Sequence, residues 1–293
     1  MNYRKLGEFI VNRRKLLGMT QQELCNGICT QSAISQIEKG KVIPNLDTLH
    51  SISLKLNIPI NFFMNLLVDD SFEQIEPIIM EIEKLTAHHK YKDVYKKSIA
   101  ELESVNFNRI WFKIYLQWAL TYSSYMLGLM SFTETLTSLK RLLDPKNYLI
   151  IKTNALELRI LNSIAVIYAS NHNEKVALFY YDKILNLESD TYTFSVEEYL
   201  LKVLYNKAKS LYDIGDIETA INVLNTGIQK AKITKNISYA GQFYYYLGQC
   251  YEKKGASLKE IQSCYQNAYF FFEFLDKSAY LDIIRNLKKM YIS

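Results

Sequence analysis

The sequence predicts an all-α protein in two unequal parts, a small N-terminal bundle followed by a long array of helical hairpins. Three observations carry that expectation. Pro and Gly are scarce, 4 and 10 among 293 residues, and strand-like alternation is rare. Apolar residues recur instead at three- and four-residue spacing along most of the chain. Turn marks then return at a near-constant interval through the last two thirds. Apolar residues make up 49% and charged residues 22%, enough to build a core and enough to keep its surface wet.

The first helix is expected from Tyr3 to Leu17, with an apolar stripe of Leu6, Phe9, Ile10, Leu16 and Leu17, and Gly18 stops it. Thr20 with Glu23 three residues later reads as a capping box for helix 2, TQQELCNGI, which would bury Leu24 and Ile28. Thr30 caps helix 3, QSAISQIEK, whose Ile34 and Ile37 face inward, and Gly40 supplies a left-handed stop. Pro44 and Asp47 open helix 4, NLDTLHSISLKL, and a fifth helix, INFFMNLL, begins after Pro59. Five short helices with punctuation at every boundary make a small bundle over residues 1–68.

Charge is concentrated in that bundle. Of the net +5, eight Lys or Arg stand against four acids before residue 69, whereas only Tyr3 of the 23 tyrosines lies there. A basic head and a nearly neutral, aromatic-rich body point to an anionic polymer as partner of the first part only.

The residues MTQQEL and QSAISQIEKGKVIPNLDTLHSISLKLNIPINFF closely resemble the Cro/repressor helix-turn-helix pattern, T-Q-x-x-L-A followed by S-Q-x-x-I-S-x-I-E-x-G. The resemblance implies that the helix opening at Gln31 enters the major groove of double-stranded DNA. Gln31, Ser32, Ser35 and Gln36 would then meet base edges or phosphates, since Gln amides and Ser hydroxyls suit both. Gln21 would touch a phosphate at the start of helix 2. Thr30, Ala33, Lys39 and Lys41 complete the expected DNA-contacting set, and Arg14 with Glu38 takes the place of the family's internal ion pair. Two departures stand out. Gln21 and Gln31 are ten residues apart, one fewer than in the simplest members, and Cys25 replaces a small Ala. The shorter spacing puts a direct Gln21–Gln31 contact in doubt.

Beyond the head, Ser71 with Gln74 reads as a further capping box, Pro77 as a first-turn residue, and residues 69–87 as a linker helix. A repeat domain is expected over 71–293. Its turn marks are His89, Gly128, His172, Gly215 and Gly255, spaced by 39, 44, 43 and 40 residues. That exceeds the period of about 34 of tetratricopeptide repeats, whose internal spacing these units share. Five degenerate repeats and a last helix, Lys277 to Met290, fill the body. Such hairpins cannot bury their apolar faces alone and stack into a superhelix with a concave side. Most tyrosines and phenylalanines at helical spacing are expected in its core.

Asn162, Asn206 and Gln242 are expected on the concave side. An Asn amide can bond both the N–H and the C=O of an extended peptide backbone. Tyr245 and Tyr280 could flank such a peptide, and Lys90 and Lys92 could meet a terminal carboxylate or an acidic residue. The bland alternative for all of these is solvated surface or bonding between repeats.

A Cro-type head, a linker helix and five such repeats together resemble the Rap/NprR/PlcR/PrgX family of Gram-positive peptide-sensing regulators. QSAISQIEKG, IPINFF, HKYKDVYKK, IAVIYA, YNKAKSLY, GQFYYYLGQC and AYFFFEFLDKSAY resemble the PlcR branch of it. The resemblance implies a homodimer held by the repeat domain on a two-fold symmetric operator. A short, secreted and reimported signalling peptide would bind the concave face, touching Asn162, Asn206, Gln242, Lys90 and Tyr280, and reposition the two heads.

Other chemistry is not written in the sequence. No phosphate-binding glycine loop and no His-x-x-x-His pair occurs, and the expectation is an enzyme-free role with no cofactor and no metal. His88-His89 reads as solvated surface, and Cys25, Cys29, Cys250 and Cys264 as small buried residues. The N-terminus shows no secretory apolar run and no stretch is long enough for a membrane span, so the expected place is the cytoplasm. Two other functional readings stay open on the residues alone: a DNA-anchored scaffold whose repeats hold a protein partner, and a phage-type repressor that binds no peptide.

Overall fold

A computed structural model of the chain describes residues 3–67, 70–104, 110–147, 155–187 and 195–292. Among these residues the regular elements are all helices. The chain divides into two compact units, Met1–Lys90 and Tyr91–Ser293.

The first unit holds α1 (Tyr3–Leu16), α2 (Gln21–Cys25), α3 (Gln31–Glu38), α4 (Leu46–Lys55), α5 (Ile60–Leu67) and α6 (Asp70–Ala87). Leu6, Ile10, Leu24, Ile34, Ile37, Leu49, Ile52, Leu56 and Phe63 form its core. Thr20 and Glu23 form a complete capping box on α2, and Thr30 accepts from the Ala33 N–H at the start of α3. Gly18, Gly27 and Gly40 all take left-handed backbone, as the turns between such short helices require.

Several local expectations are corrected. Leu16, assigned to the apolar stripe, is 79% exposed because α1 ends there and the chain turns away from the core. Helix 2 stops at Cys25, so Ile28 lies in the turn and packs only partly on the core. Helix 4 opens as expected, with Asp47 in its first turn, and Asn45 is its cap, accepting from the Thr48 N–H at 2.8 Å. Ser71 cannot be the N-cap of the linker helix, since α6 already includes Asp70, and Pro77 sits inside that helix rather than in its first turn.

The second unit contains α7 (Tyr91–Glu103), α8 (Ile110–Met126), α9 (Phe132–Leu142), α10 (Leu156–Ser170), α11 (Glu174–Leu185), α12 (Ser195–Asp213), α13 (Ile217–Thr234), α14 (Ala240–Lys254) and α15 (Leu258–Phe274). Two short helices follow, α16 (Ser278–Leu287) and α17 (Lys289–Ile292), where one was expected. All five turn marks, His89, Gly128, His172, Gly215 and Gly255, adopt positive φ, between 55° and 85°. The repeat is therefore a repeat of backbone geometry. Where it lacks glycine it uses histidine, at the steric cost that any side chain meets in this region.

Packing sets the curvature. Each helix packs on the next, but α8 also packs on α10, α10 on α12, and α12 on α14. No packing of that strength joins α9, α11, α13 and α15 to one another. First helices that touch while second helices splay place the first helices on the inner wall of a curved stack. Small residues bring successive helices close: a Cβ on Gly227 of α13 would fall 2.5 Å from the Phe243 ring of α14, and one on Gly241 of α14 would fall 2.6 Å from Phe272 of α15.

The aromatic expectation holds only in part. Tyr115, Tyr181, Tyr265, Phe112, Phe243 and Phe272 are fully buried. Tyr205, Tyr239, Tyr244, Tyr245 and Tyr246 are half-buried, and Phe179, Phe270 and Phe274 are exposed.

Candidate nucleic-acid interface and peptide groove

On the head, a polar knot ties three helices together. Arg14 of α1 donates to both carboxylate oxygens of Glu38 on α3, Nε–Oε1 at 2.6 Å and Nη2–Oε2 at 3.0 Å. Its Nη1 also donates to the Met19 carbonyl at 2.7 Å. Both side chains are nearly inaccessible, 10% and 4% exposed, and the hydrogen bonds to Glu38 hold the guanidinium pKa above its ordinary value. Gln21 joins in, its amide donating to Glu38 Oε2 at 2.7 Å. That spends one amide N–H inside the protein and leaves the other N–H and the carbonyl for a phosphate or a neighbouring side chain. No Gln21–Gln31 hydrogen bond is present among the described contacts, consistent with the shortened spacing.

The knot fixes α3 and so decides what it shows. Ile34 and Ile37 are buried, and Gln31 and Ser32 are exposed, with Ala33, Ser35 and Gln36 half-buried beside them. Lys39 and Lys41 follow as exposed cations, and Thr30 is exposed while its hydroxyl caps the helix. Gly7, a position that sequence reasoning passed over, makes the arrangement possible. A Cβ there would lie 2.5 Å from the Glu38 carbonyl oxygen, so α1 can cross α3 only over a glycine. A lone glycine within the helix 1 pattern was the available signal.

Besides Arg14, two of the eight basic residues in the head have another duty. Lys55 Nζ donates to the carbonyls of Glu23, Leu24 and Asn26, closing the C-terminal end of α2. Arg13 Nε donates to the Leu56 carbonyl at 3.1 Å, past the end of α4. With Arg14 locked on Glu38, part of the positive charge that suggested DNA serves as helix-end caps.

In the repeat unit, Asn162, Asn206 and Gln242 lie on α10, α12 and α14, the helices of the inner wall. Asn206 Nδ2 donates to Asn162 Oδ1 at 3.1 Å. This is one of several bonds at about one repeat period. Trp118 Nε1 donates to Ser163 Oγ at 2.9 Å, and the hydroxyls of Tyr125 and Ser170 lie 3.1 Å apart. The Asn pair thus serves stacking while leaving Asn206 its carbonyl and second N–H. Gln242 is buried, and its Oε1 accepts from Lys277 Nζ at 3.3 Å.

Tyrosine hydroxyls line the rest of the wall. Tyr91 meets Tyr122 edge-on with ring centroids 6.0 Å apart and Tyr205 meets Tyr246 likewise at 5.6 Å, with burial pushing the hydroxyls of Tyr122, Tyr205 and Tyr246 above their ordinary pKa. Tyr280 stacks on Phe272 with ring centroids 4.8 Å apart, and Tyr245 meets Tyr265 edge-on at 5.8 Å. Lys92 is exposed near the start of α7, while Lys90, also exposed, closes the first unit. Sequence reasoning missed Lys277 and Tyr205 on this wall; neither departs from the local helical pattern.

Burial pushes the thiols of Cys250 and Cys264 up to about 11, which suits packing rather than reactivity. No group of three or more His, Cys, Asp or Glu is placed to hold a metal among the described residues, and no described helix is long and apolar enough to cross a membrane.

Comparison with known proteins follows this division. Residues 79–293 match the RNPP family C-terminal domain, and residues 10–63 match a helix-turn-helix family. Among curated proteins, no match to the sequence was found. Among solved structures, the chain is similar to Bacillus thuringiensis PlcR in complex with the peptide PapR7 and DNA. The TM-score is 0.80 and the identity 32%, covering 97% of this chain and 99% of that one. PlcR in its apo form gives 0.66 at 29% identity, with the same coverage. A Listeria monocytogenes transcriptional regulator of 18% identity shares the fold, at 0.69 over 99% and 98% of the two chains. With the family domain matched over most of its length, the chain belongs to the RNPP family, the Rap/NprR/PlcR/PrgX group of peptide-sensing transcription regulators.

Proposed function

We propose that this protein is a dimeric transcription regulator that reads a two-fold symmetric operator through α3 and is controlled by a short peptide lying along α10, α12 and α14. The observation that carries the reading is the end-to-end similarity to a protein solved with both a peptide and DNA. On the head, Gln31, Ser32, Ser35 and Gln36 read bases, and Lys39 and Lys41 grip the backbone. One head covers too few base pairs for a genomic address, so the repeat unit brings a second copy.

In the repeat unit the peptide lies extended. Asn206 offers its carbonyl and remaining N–H to the peptide backbone while still bonding Asn162. Tyr245 and Tyr280 make the side walls, and Lys90 and Lys92 meet carboxylates at one end. The regulator performs no chemical step and works in the cytoplasm, where its DNA is.

The test selects binding sites from a random duplex library with the full chain. Synthetic peptides encoded by small reading frames beside its gene are then titrated by calorimetry, with and without the selected DNA. Two half-sites related by a dyad, and a peptide whose affinity changes by the same factor that it changes DNA affinity, are expected. A single asymmetric site, or peptide affinity indifferent to operator, overturns the proposal.

A further inference from the structure

The repeat unit closes on a small cluster of its own. Ile261, Tyr265, Ala268 and Phe272 of α15 are buried with Ile284 of α16, and Tyr245, Tyr280 and Tyr291 pack around them. The tail is two helices rather than one because the chain breaks at Lys288, whose φ of −131° and ψ of 21° leave the helix. Beyond the break α17 packs back on α15, and the Tyr291 ring stacks on Tyr265 with centroids 5.2 Å apart.

Tyr265 is held by its hydroxyl as well. It donates to Glu252 Oε2 of α14 at 2.7 Å, and Lys288 Nζ donates to the same oxygen while standing 5.0 Å from the centre of the Tyr265 ring. Burial works against the Glu252 carboxylate, but the bonds from Lys288 and Tyr265 keep its pKa below the ordinary value. A ring with apolar neighbours alone has a broad choice of tilt; one bonded at its para oxygen and stacked on its face does not. Tyr265 in turn meets Tyr245 edge-on at 5.8 Å, a contact that depends on the tilt of both rings. Phe272, in the same cluster, meets Tyr245 at 6.5 Å and Tyr280 at 4.8 Å.

We propose that Glu252, Lys288 and Tyr291 are positioning residues of the peptide groove: they fix the Tyr265 ring, and through it Tyr245, without touching the peptide. The proposal rests on the peptide-binding reading above, in which Tyr245 is a side wall. An end cap that served stability alone would need no more than apolar cover for Tyr265. Here a carboxylate, an ammonium and a phenol are spent on the orientation of one ring. Freedom that a peptide would otherwise have to remove from Tyr245 is removed before it arrives.

Calorimetry on the full-length protein tests it with one probe, the synthetic heptapeptide that wild type retains most strongly from a random-sequence pool. Tyr265→Phe, which removes only the hydroxyl, and Tyr291→Ala should each weaken binding of the probe about three- to ten-fold. Tyr291→Phe keeps the stack and should stay near wild type. In a Tyr245→Ala background the same changes should cost little, since the ring they orient is gone. Circular dichroism checks the fold, and Lys288→Met replaces Tyr291→Ala if that unfolds. Full affinity in folded Tyr265→Phe and Tyr291→Ala overturns the positioning role while leaving a peptide receptor. A loss that persists undiminished in the Tyr245→Ala background also overturns it and assigns the tail to stability alone. Retention of no peptide removes the peptide reading as well.

Discussion

The head and the inner wall of the repeats use polar residues in opposite ways. In the head, Arg14, Glu38 and Gln21 form a closed knot: a bidentate, charge-assisted pair with a third donor on the same carboxylate, all set over the Gly7 crossing. On the wall, the bond that links α12 to α10 is neutral and single, Asn206 to Asn162, and Asn206 keeps unused capacity. A reading head must hold α3 rigidly before DNA arrives, whereas a groove needs donors and acceptors that can be shared with a guest. The difference lies in what removing one partner leaves behind. Breaking the knot strands a buried charge, whereas breaking the Asn pair strands only a neutral amide.

The largest effect should therefore fall on the knot. Glu38→Ala leaves Arg14 buried and unpaired and should destabilise the head by roughly 3–5 kcal/mol, comparable with the whole stability of a small domain. Urea unfolding would show the head melting apart from the repeats, and the paired change Arg14→Met with Glu38→Leu should recover much of the loss. If Glu38→Ala melts like wild type, the knot is ornament and the comparison fails.

Next come substitutions of the reading groups, which should spare folding. Asn206→Ala should weaken peptide binding by roughly 1–3 kcal/mol through stranded peptide groups, with a melting temperature close to wild type. Calorimetry and thermal melts on one preparation decide it. A large stability loss with unchanged peptide affinity would return the Asn pair to a purely stacking role. On α3, Gln31→Ala should cost about 1–3 kcal/mol at one operator position, whereas Lys41→Ala should weaken all sequences alike and reduce the salt slope by about 1. Lys55→Ala should instead fray α2, because its amine caps carbonyls rather than waiting for phosphate.

Smaller still is the backbone term. Gly215 has φ +85° and open space around it, so Gly215→Ala should cost only the left-handed penalty, about 1–2 kcal/mol. A signal of another kind is the pH dependence of Lys277. Its folded pKa of about 8 lies below the ordinary 10.5, so the folded state binds fewer protons than the unfolded chain between those values. Wild type should gain stability over Lys277→Met as pH rises through that window and show a constant difference below it. Melting temperatures at pH 7, 8.5 and 10 would read the trend, and a gap that widens against wild type refutes the burial of the amine.

Much of the fold was legible because helix ends are local. The Thr20–Glu23 box, the Thr30 cap and the left-handed turn marks from His89 to Gly255 are each settled within about four residues, and a sequence displays them directly. Ser71 reads as a cap where α6 already includes Asp70, because the true first turn depends on the direction from which the chain enters. The composition of α3 and the inner-wall amides was likewise readable, since pattern and resemblance name residues one at a time.

Meetings were not readable. Whether Gln21 turns to Glu38, whether Lys55 caps α2, and whether Asn162 faces Asn206 across 44 positions depends on how helices cross and stack. Leu16 and Leu24 are both leucines on helical faces, yet one is exposed and the other buried, because one helix ends where the other is covered. Helix periodicity gives each side chain a direction on its own cylinder; only packing fixes what lies in that direction. The sequence by itself thus determined the elements, their order and the kind of partner each part takes. The tertiary structure alone decided which charges are spent on holding helices, as Arg14, Lys55 and Lys277 are, and which are left to solvent and to DNA.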